Sequence, residues 1–229
     1  MPITDTIIPG GWTEREIDLG SRMVRLRVPA DPDAVLARLI EGEVAAAAEP
    51  HLADPYWAKL WPAALHLAAI IARRQREFSP GTKTLELGCG SGLVGLAGLT
   101  AGLDVTFSDY VPFAVELALE NARRNGFPTA RGLVLDWRYP LAEQFDFLLA
   151  GDVTYDRTHI GPLLGVLDQM LSPGGQAWIA DGGRGPAADF LAQAAARGYR
   201  VRLFDESDQS TATPKLGHCQ RMVLRKVTP

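Results

Sequence analysis

The chain of 229 residues contains only two cysteines, Cys89 and Cys219. Two thiols cannot build a disulfide framework or a structural zinc site, so a reduced compartment is expected. No apolar run reaches the roughly 20 residues that span a bilayer. Residues 1–11 mix Thr, Asp, Pro and Gly and lack the charged-then-apolar order of a secretory leader. A cytoplasmic location with no membrane partner is the expectation. Charge of one sign is also scarce: 23 basic against 27 acidic residues give a net charge of -4. With no local basic patch, no nucleic-acid partner is expected. His51, His66, His159 and His218 are scattered without metal-ligand spacing, so no metal is expected and they read as surface or packing residues. No repeat period appears, and the only low-complexity tract is the alanine run at 45–48. What remains, 47% hydrophobic and 22% charged, is the composition of one globular domain, with room for an appendage.

Residues 14–28 alternate apolar and polar around Gly20-Ser21, with Ile17 and Leu19 before it and Met23, Leu26 and Val28 after it. This predicts a β-hairpin. Asp31-Pro32 opens a helical run whose stripe is Val35, Leu36, Leu39 and Ile40. Residues 51–59, rich in Pro, Asp and aromatics, read as a loop. A second helix starts at Pro62, with Leu60, Ala64, Leu67 and Ile71 at helical spacing, and ends near Ser79-Pro80-Gly81. Beyond it, short apolar runs at 83–87, 104–108, 132–135, 145–150 and 176–180 alternate with helical patterns at 93–100, 112–125, 159–171 and 186–197. Such succession predicts a parallel sheet covered on both faces. Two final strands, 199–204 and 219–227, are joined by a polar linker without helical period, which predicts a hairpin finish.

The first of these strands runs directly into Gly88-Cys89-Gly90-Ser91-Gly92, and Leu93 begins the next helix. Glycines there let a ligand approach backbone N–H groups at a helix N-terminus, which favours a ligand site over a bare βα turn. No Gly-Lys-Ser or Gly-Lys-Thr follows, which excludes that phosphate loop. Leu93 stands where a dinucleotide fingerprint needs Gly or Ala, so a nicotinamide oxidoreductase is the weakest reading. Glu86, inside the strand end, would repel a pyrophosphate and suits a ligand carrying an ammonium or sulfonium charge. Asp109 closes the second strand, where a carboxylate can accept from both hydroxyls of a ribose; capping of helix 112–125 is its alternative role. Asp136 and Trp137, after the third strand, offer an acceptor for an exocyclic amine beside an aromatic face, with core packing the alternative for Trp137. Cys89 fills the turn as a small residue with no redox role, and Arg123-Arg124 reads as a solvated helix face.

Leu85-Glu86-Leu87-Gly88-Cys89-Gly90-Ser91-Gly92, Ser108-Asp109 and Leu135-Asp136 resemble the motifs of the seven-strand S-adenosylmethionine-dependent methyltransferases. The resemblance covers residue 62 to the C-terminus. It implies an α/β fold: a Rossmann-like, doubly wound, seven-stranded, mostly parallel sheet with an antiparallel last strand, here preceded by an N-terminal hairpin and helix. The implied division is an extension at 1–61 and a cofactor-binding domain at 62–229. The implied cofactor is S-adenosylmethionine, held by Glu86, Gly88, Cys89, Gly90, Ser91, Gly92, Asp109, Tyr110, Asp136, Trp137, Trp61 and Gly151.

The acceptor is read from the loop after the fourth strand. Nucleic-acid amino methyltransferases carry Asn or Asp, two prolines and an aromatic there, to stack a flipped base. Residues 151–156 hold no proline, and the isolated Asp54-Pro55-Tyr56 lies ahead of the glycine turn, in a loop leading toward the site. Asp152-Val153-Thr154-Tyr155 instead resembles the Asp-x-x-Tyr element of protein lysine methyltransferases of this fold. Asp54-Pro55-Tyr56-Trp57-Ala58, Trp61-Pro62 and Asp181-Gly182-Gly183-Arg184 resemble the subgroup acting on the electron-transfer flavoprotein β subunit. Gly182 departs from that pattern, which has proline. A protein substrate presenting lysine is thereby implied, with Asp152 and Tyr155 catalytic and Tyr56, Trp57 and Arg184 at the substrate. Lysine is a nucleophile only when neutral and its pKa is about 10.4, so its site must desolvate it or take its proton. Asp152 can orient the incoming ammonium, and Tyr155 and Trp57 can wall its channel by cation–π contact. The alternatives are a small-molecule amine acceptor and a non-catalytic assembly partner that keeps the pocket.

Overall fold

The computed structural model describes residues 8–41 and 55–226, with side chains described through Ala37 in the first of these. The expectations for 45–48, His51 and Asp54, and for the Leu39 and Ile40 side chains, lie outside them. The predicted hairpin is formed by β1 (Trp12–Asp18) and β2 (Met23–Pro29), paired antiparallel. Helix α1 (Pro32–Glu41) follows, with the Asp31 carboxylate accepting from the Ala34 N–H as its cap. Part of the segment read as a loop is a short 3-10 turn, Pro55–Ala58. Then come α2 (Pro62–Arg73), β3 (Lys83–Leu87), α3 (Leu93–Thr100), β4 (Asp104–Asp109), α4 (Pro112–Arg124) and β5 (Arg131–Val134). The chain continues with β6 (Phe145–Gly151), α5 (Ile160–Met170), β7 (Leu171–Asp181), α6 (Pro186–Ala196), β8 (Tyr199–Phe204), β9 (Ser210–Thr211) and β10 (Gln220–Lys226).

The main sheet has the order β5-β4-β3-β6-β7-β10-β8-β9. Strands β3 to β7 are mutually parallel, and β10 inserts antiparallel between β7 and β8. The expected architecture is present with three corrections. Helix α2 ends at Arg73 rather than near Ser79, and a separate 3-10 turn, Gln75–Glu77, follows it. The sheet has eight strands, because two residues of the polar linker, β9, pair with the end of β8. Strand β7 also starts at Leu171, five residues earlier than its apolar run, across an irregularity opposite Phe145 and Phe147.

Alternate residues of the central strands enter two cores. Phe147 and Leu149 face α2, α3 and the hairpin, together with Leu67, Ile70 and Leu96. Leu148 and Ala150 face α5 and α6, together with Leu163, Leu167 and Phe190. Burial on both faces is why these strands read as near-continuous apolar runs. The hairpin shares the first core through Leu19, Val24, Leu26 and Val28.

From β3 the chain winds outward through β4 and β5, then returns to β6 on the other side. This reversal opens a crevice at the carboxyl ends of β3 and β6. The register is flush: Leu87 pairs with Ser108 on one side and Ala150 on the other, so Gly88, Asp109 and Gly151 all emerge at one edge.

Candidate functional site

A cavity of about 540 Å³ occupies that crevice, a size typical of small-molecule sites. The turn after β3 forms its floor. Gly88, Gly90 and Gly92 have φ of 62°, 50° and 83°, in the left-handed region that glycine enters without strain. A Cβ on Gly88 would come within 3.2 Å of Val153 and 3.6 Å of the Trp137 ring. The turn is tied on several sides. The Cys89 N–H donates to the Ser108 carbonyl at 2.9 Å, the Gly90 N–H to Asp109 Oδ2 at 3.0 Å, and the Gly92 N–H to the Cys89 carbonyl at 2.7 Å. Asn121 Nδ2 donates to the Ser91 carbonyl at 2.9 Å.

Two carboxylates flank the turn. Glu86 is buried beneath it, and its Oε2 has no hydrogen-bond partner among the described residues. Burial pushes its pKa well above the ordinary carboxylate value and the Asp109 charge adds to this, while the N–H groups of Gly95 and Val94 oppose it. Asp109 lines the cavity, and its Oδ1 accepts from the N–H of Val111, the N-cap residue of α4, at 3.0 Å, with no side-chain cap on the helix itself. The Cys89 thiol is pushed up by burial first and by the two acids next, which favours its protonated form.

Asp136 lies across the cavity in a clasp with Arg138, whose Nε stands 2.9 and 3.0 Å from the two carboxylate oxygens. That guanidinium holds the Asp136 pKa below the usual range. Trp137 both lines the cavity and packs on the core beneath it. Tyr110, 56% exposed, stands at the rim.

The loop after β6 supplies the opposite wall. Gly151 sits where a Cβ would meet Ala64 of α2 at 2.8 Å, so glycine permits the close approach of that helix. Asp152 adopts φ of 64° and is buried. Its oxygens receive Arg184 Nε and Nη2, each at 2.9 Å, and Oδ1 also receives the Gly182 N–H at 3.4 Å. A proline at 182 would delete that last bond. The Arg184 guanidinium in turn lies 5.3 Å from the centre of the Trp61 ring. Tyr56 stands 5.5 Å from Tyr155 and 6.3 Å from Trp61, ring centre to ring centre, so three aromatics line the mouth beside Asp152.

Most of the predicted residues meet in this cavity; three placements differ. Gly92 does not line it, and instead lets α4 approach, since a Cβ there would lie 2.8 Å from that of Ala118. Arg184 stands behind Asp152 rather than on the cavity wall. Trp57 borders the cavity, but its ring is turned away into a cluster with Trp12 and Phe113, centred 6.4 and 4.9 Å from it, and is 4% exposed. Burial of a large apolar ring outweighs exposure at the mouth, so Tyr56 and Trp61, rather than the Trp57 ring, line the mouth beside Tyr155.

His159, read as a packing residue, does pack edge-on against Trp137 and Tyr155, yet it also lines the cavity. Sequence reasoning missed Asn121 and read Asp181 only as part of a motif; the buried Asp181 accepts from Thr154 Oγ1, Gln220 Nε2 and the N–H groups of Gly183 and Arg184. An asparagine in mid-helix was a signal, because that residue is a poor helix former without tertiary work for its amide.

The fold is similar to that of S-adenosylmethionine-dependent methyltransferases of known structure. A TehB-like SAM-dependent methyltransferase from Corynebacterium glutamicum superposes with a TM-score of 0.57 at 21% identity, covering 85% of this chain and 99% of that one. The N-methyltransferase NodS from Bradyrhizobium japonicum, in complex with S-adenosyl-L-homocysteine, gives 0.54 at 19% identity, covering 76% and 92%. The family model described as lysine methyltransferase matches residues 51–188, more than half of the chain, and the chain belongs to that family. EEF1A lysine methyltransferase 3 of Mus musculus is 33% identical over 128 residues, 54% of either chain. The electron transfer flavoprotein beta subunit lysine methyltransferase of Danio rerio is 30% identical over 138 residues, 59% of this chain and 53% of that one. The chain thus spans about half the length of the curated relatives it matches.

Proposed function

We propose that this chain is an S-adenosylmethionine-dependent methyltransferase acting on lysine side chains of a protein. The observation that carries the reading is the convergence, in one cavity of a lysine methyltransferase family member, of the glycine turn, Glu86, Asp109 and the Asp152-to-Tyr155 loop. The residues suit the donor. Glu86 offers a buried carboxyl oxygen without a partner, suited to a cation; Gly88 leaves room that a side chain would fill. Asp109 lines the cavity, where a carboxylate suits ribose hydroxyls, and Asp136 beside Trp137 suits the adenine. When bound, the donor supplies an electrophilic methyl group on a sulfonium.

Methyl transfer is an in-line displacement, so the protein's task is to align the acceptor and keep water out. Asp152, with Tyr56, Trp61 and Tyr155, makes a carboxylate and aromatic seat for an ammonium group. A cation already rests at its edge: Arg184 is on Asp152 and over Trp61. Asp152 guides the lysine in as its ammonium, and the stripping of its water favours release of the proton to solvent, after which the neutral amine forms the N–C bond as the S–C bond breaks, leaving a neutral thioether. The named targets of the relatives differ, so we assign a protein class; the electron-transfer flavoprotein β subunit is one candidate substrate. The net charge of -4 favours protein over nucleic acid as partner. No helix among the described residues is long and apolar enough to cross a membrane, and both cysteines are free. A cytoplasmic setting agrees with this. The test is labelled donor incubated with the chain and a cell extract, then separated by size. Label in the protein fraction supports the reading; label only in small molecules moves the acceptor to a metabolite amine, and no label anywhere removes the activity.

A further inference from the structure

Two asparagines one turn apart on α4 fasten the N-terminal hairpin, and they do so unequally. Asn125, which closes that helix, accepts from the Arg25 N–H at 2.9 Å and donates to the Arg25 carbonyl at 2.7 Å. Asn121 makes the same pair of bonds to Arg27, at 2.8 and 3.1 Å. Both amides therefore act on β2 as a neighbouring strand would, satisfying backbone groups along its edge. Asn121 goes further: its Nδ2 also donates to the Ser91 carbonyl at 2.9 Å, inside the glycine turn. Asn121 is fully buried and Ser91 nearly so, so water cannot readily replace that bond. One side-chain amide thus joins the hairpin to the floor of the cavity.

We propose that Asn121 is a positioning residue that couples hairpin docking to donor affinity, making the hairpin part of the donor site although it lines none of it. The inference rests on the donor reading above. Without the Asn121 bond the buried Ser91 carbonyl loses its partner, and Ser91, which lines the cavity, loses the tie that links its place in the turn to the hairpin. Coupling of this kind is reciprocal, so donor binding must in turn tighten the hairpin on α4.

Asn125 is the internal control, because it holds the same hairpin without touching the turn. Calorimetric titration of S-adenosylhomocysteine into the full-length chain should give a Kd raised about tenfold by Asn121→Ala, the loss of one buried hydrogen bond, and changed less than about twofold by Asn125→Ala. Thermal melting without ligand should fall for both variants, which separates fastening from coupling. Hydrogen exchange gives a reading that needs no variant to fold: ligand should slow exchange of the Arg25 and Arg27 amides in the unsubstituted chain. Should Asn121→Ala fail to fold, Asn121→Ser takes its place, its short hydroxyl falling out of reach of Ser91. Equal weakening by the two alanine variants, no weakening by Asn121→Ala, or unchanged hairpin exchange on binding would each overturn the coupling. Absence of heat with the unsubstituted chain would instead overturn the donor reading, and the coupling with it.

Discussion

Replacing Arg184 by alanine tests whether Asp152 is held by its cation or merely lies beside it. The carboxylate is taken out of water, with its side chain 2% exposed, while the guanidinium is 38% exposed. Two charge-assisted bonds at 2.9 Å would contribute about 1.5–3 kcal/mol each if fully desolvated. The partly solvated arginine reduces that sum through screening, and a coupling of about 2 kcal/mol is expected between the two side chains. For a chain of this size each kcal/mol moves the Tm by about 2–4 °C, so Arg184→Ala should lower it by roughly 4–8 °C. The assay is a double-mutant cycle of Arg184→Ala, Asp152→Ala and the pair, by urea unfolding with thermal melts alongside. The double variant should lose about 2 kcal/mol less than the sum of the singles. Additivity within about 0.5 kcal/mol would show that the contact contributes nothing and would remove the argument that this seat prefers a cation.

Three further outcomes follow from the same geometry. The Glu86 pKa is raised on folding, so its contribution to stability is fully present below its ordinary value near 4.5 and is lost as pH rises through the folded value. Glu86→Gln should therefore gain stability relative to the unsubstituted chain as pH rises from acid to neutral, and should bind donor more weakly; parallel stability curves in pH would refute the buried charge. Gly95→Ala reverses the usual helix-propensity gain, because its Cβ would lie 2.4 Å from Phe107 and 2.5 Å from Glu86 Oε2, costing about 1–3 kcal/mol of overpacking. Gly165→Ala, on α5 with nothing within 4 Å of its Cβ, should stabilise by about 0.5–1 kcal/mol, and chemical unfolding that gives both alanines the same sign would contradict the packing.

The elements that position the site were legible because their signals are local. The run Lys83–Leu87, the alternate glycines and Leu93 announce strand, turn and helix in consecutive residues. The same holds for Asp109 and for Gly151-Asp152, each at the end of an apolar run. What was not legible depends on long-range packing. Ser210–Thr211 form a strand only because β8 presents an edge to them. The aromatics of Pro55–Ala58 said that a loop was sticky, not which ring faced inward; Trp12 and Phe113, far away in the chain, decide that Trp57 turns away from the mouth. The ion pair of Asp152 with Arg184 likewise joins two loops 32 residues apart. Asn121 and Asn125 occupy a helix of ordinary pattern, and their work appears only when β2 is laid against it.

Mass spectrometry of peptides from an extract incubated with the chain and a donor whose methyl group is isotopically heavy reads out the acceptor atom and the role of Asp152 together. The label should appear on the Nζ of lysine in one or a few proteins and disappear with Asp152→Asn. Heavy methyl groups confined to histidine, to nucleic acid or to small molecules, or lysine labelling undiminished by Asp152→Asn, would contradict lysine as the acceptor or Asp152 as its guide.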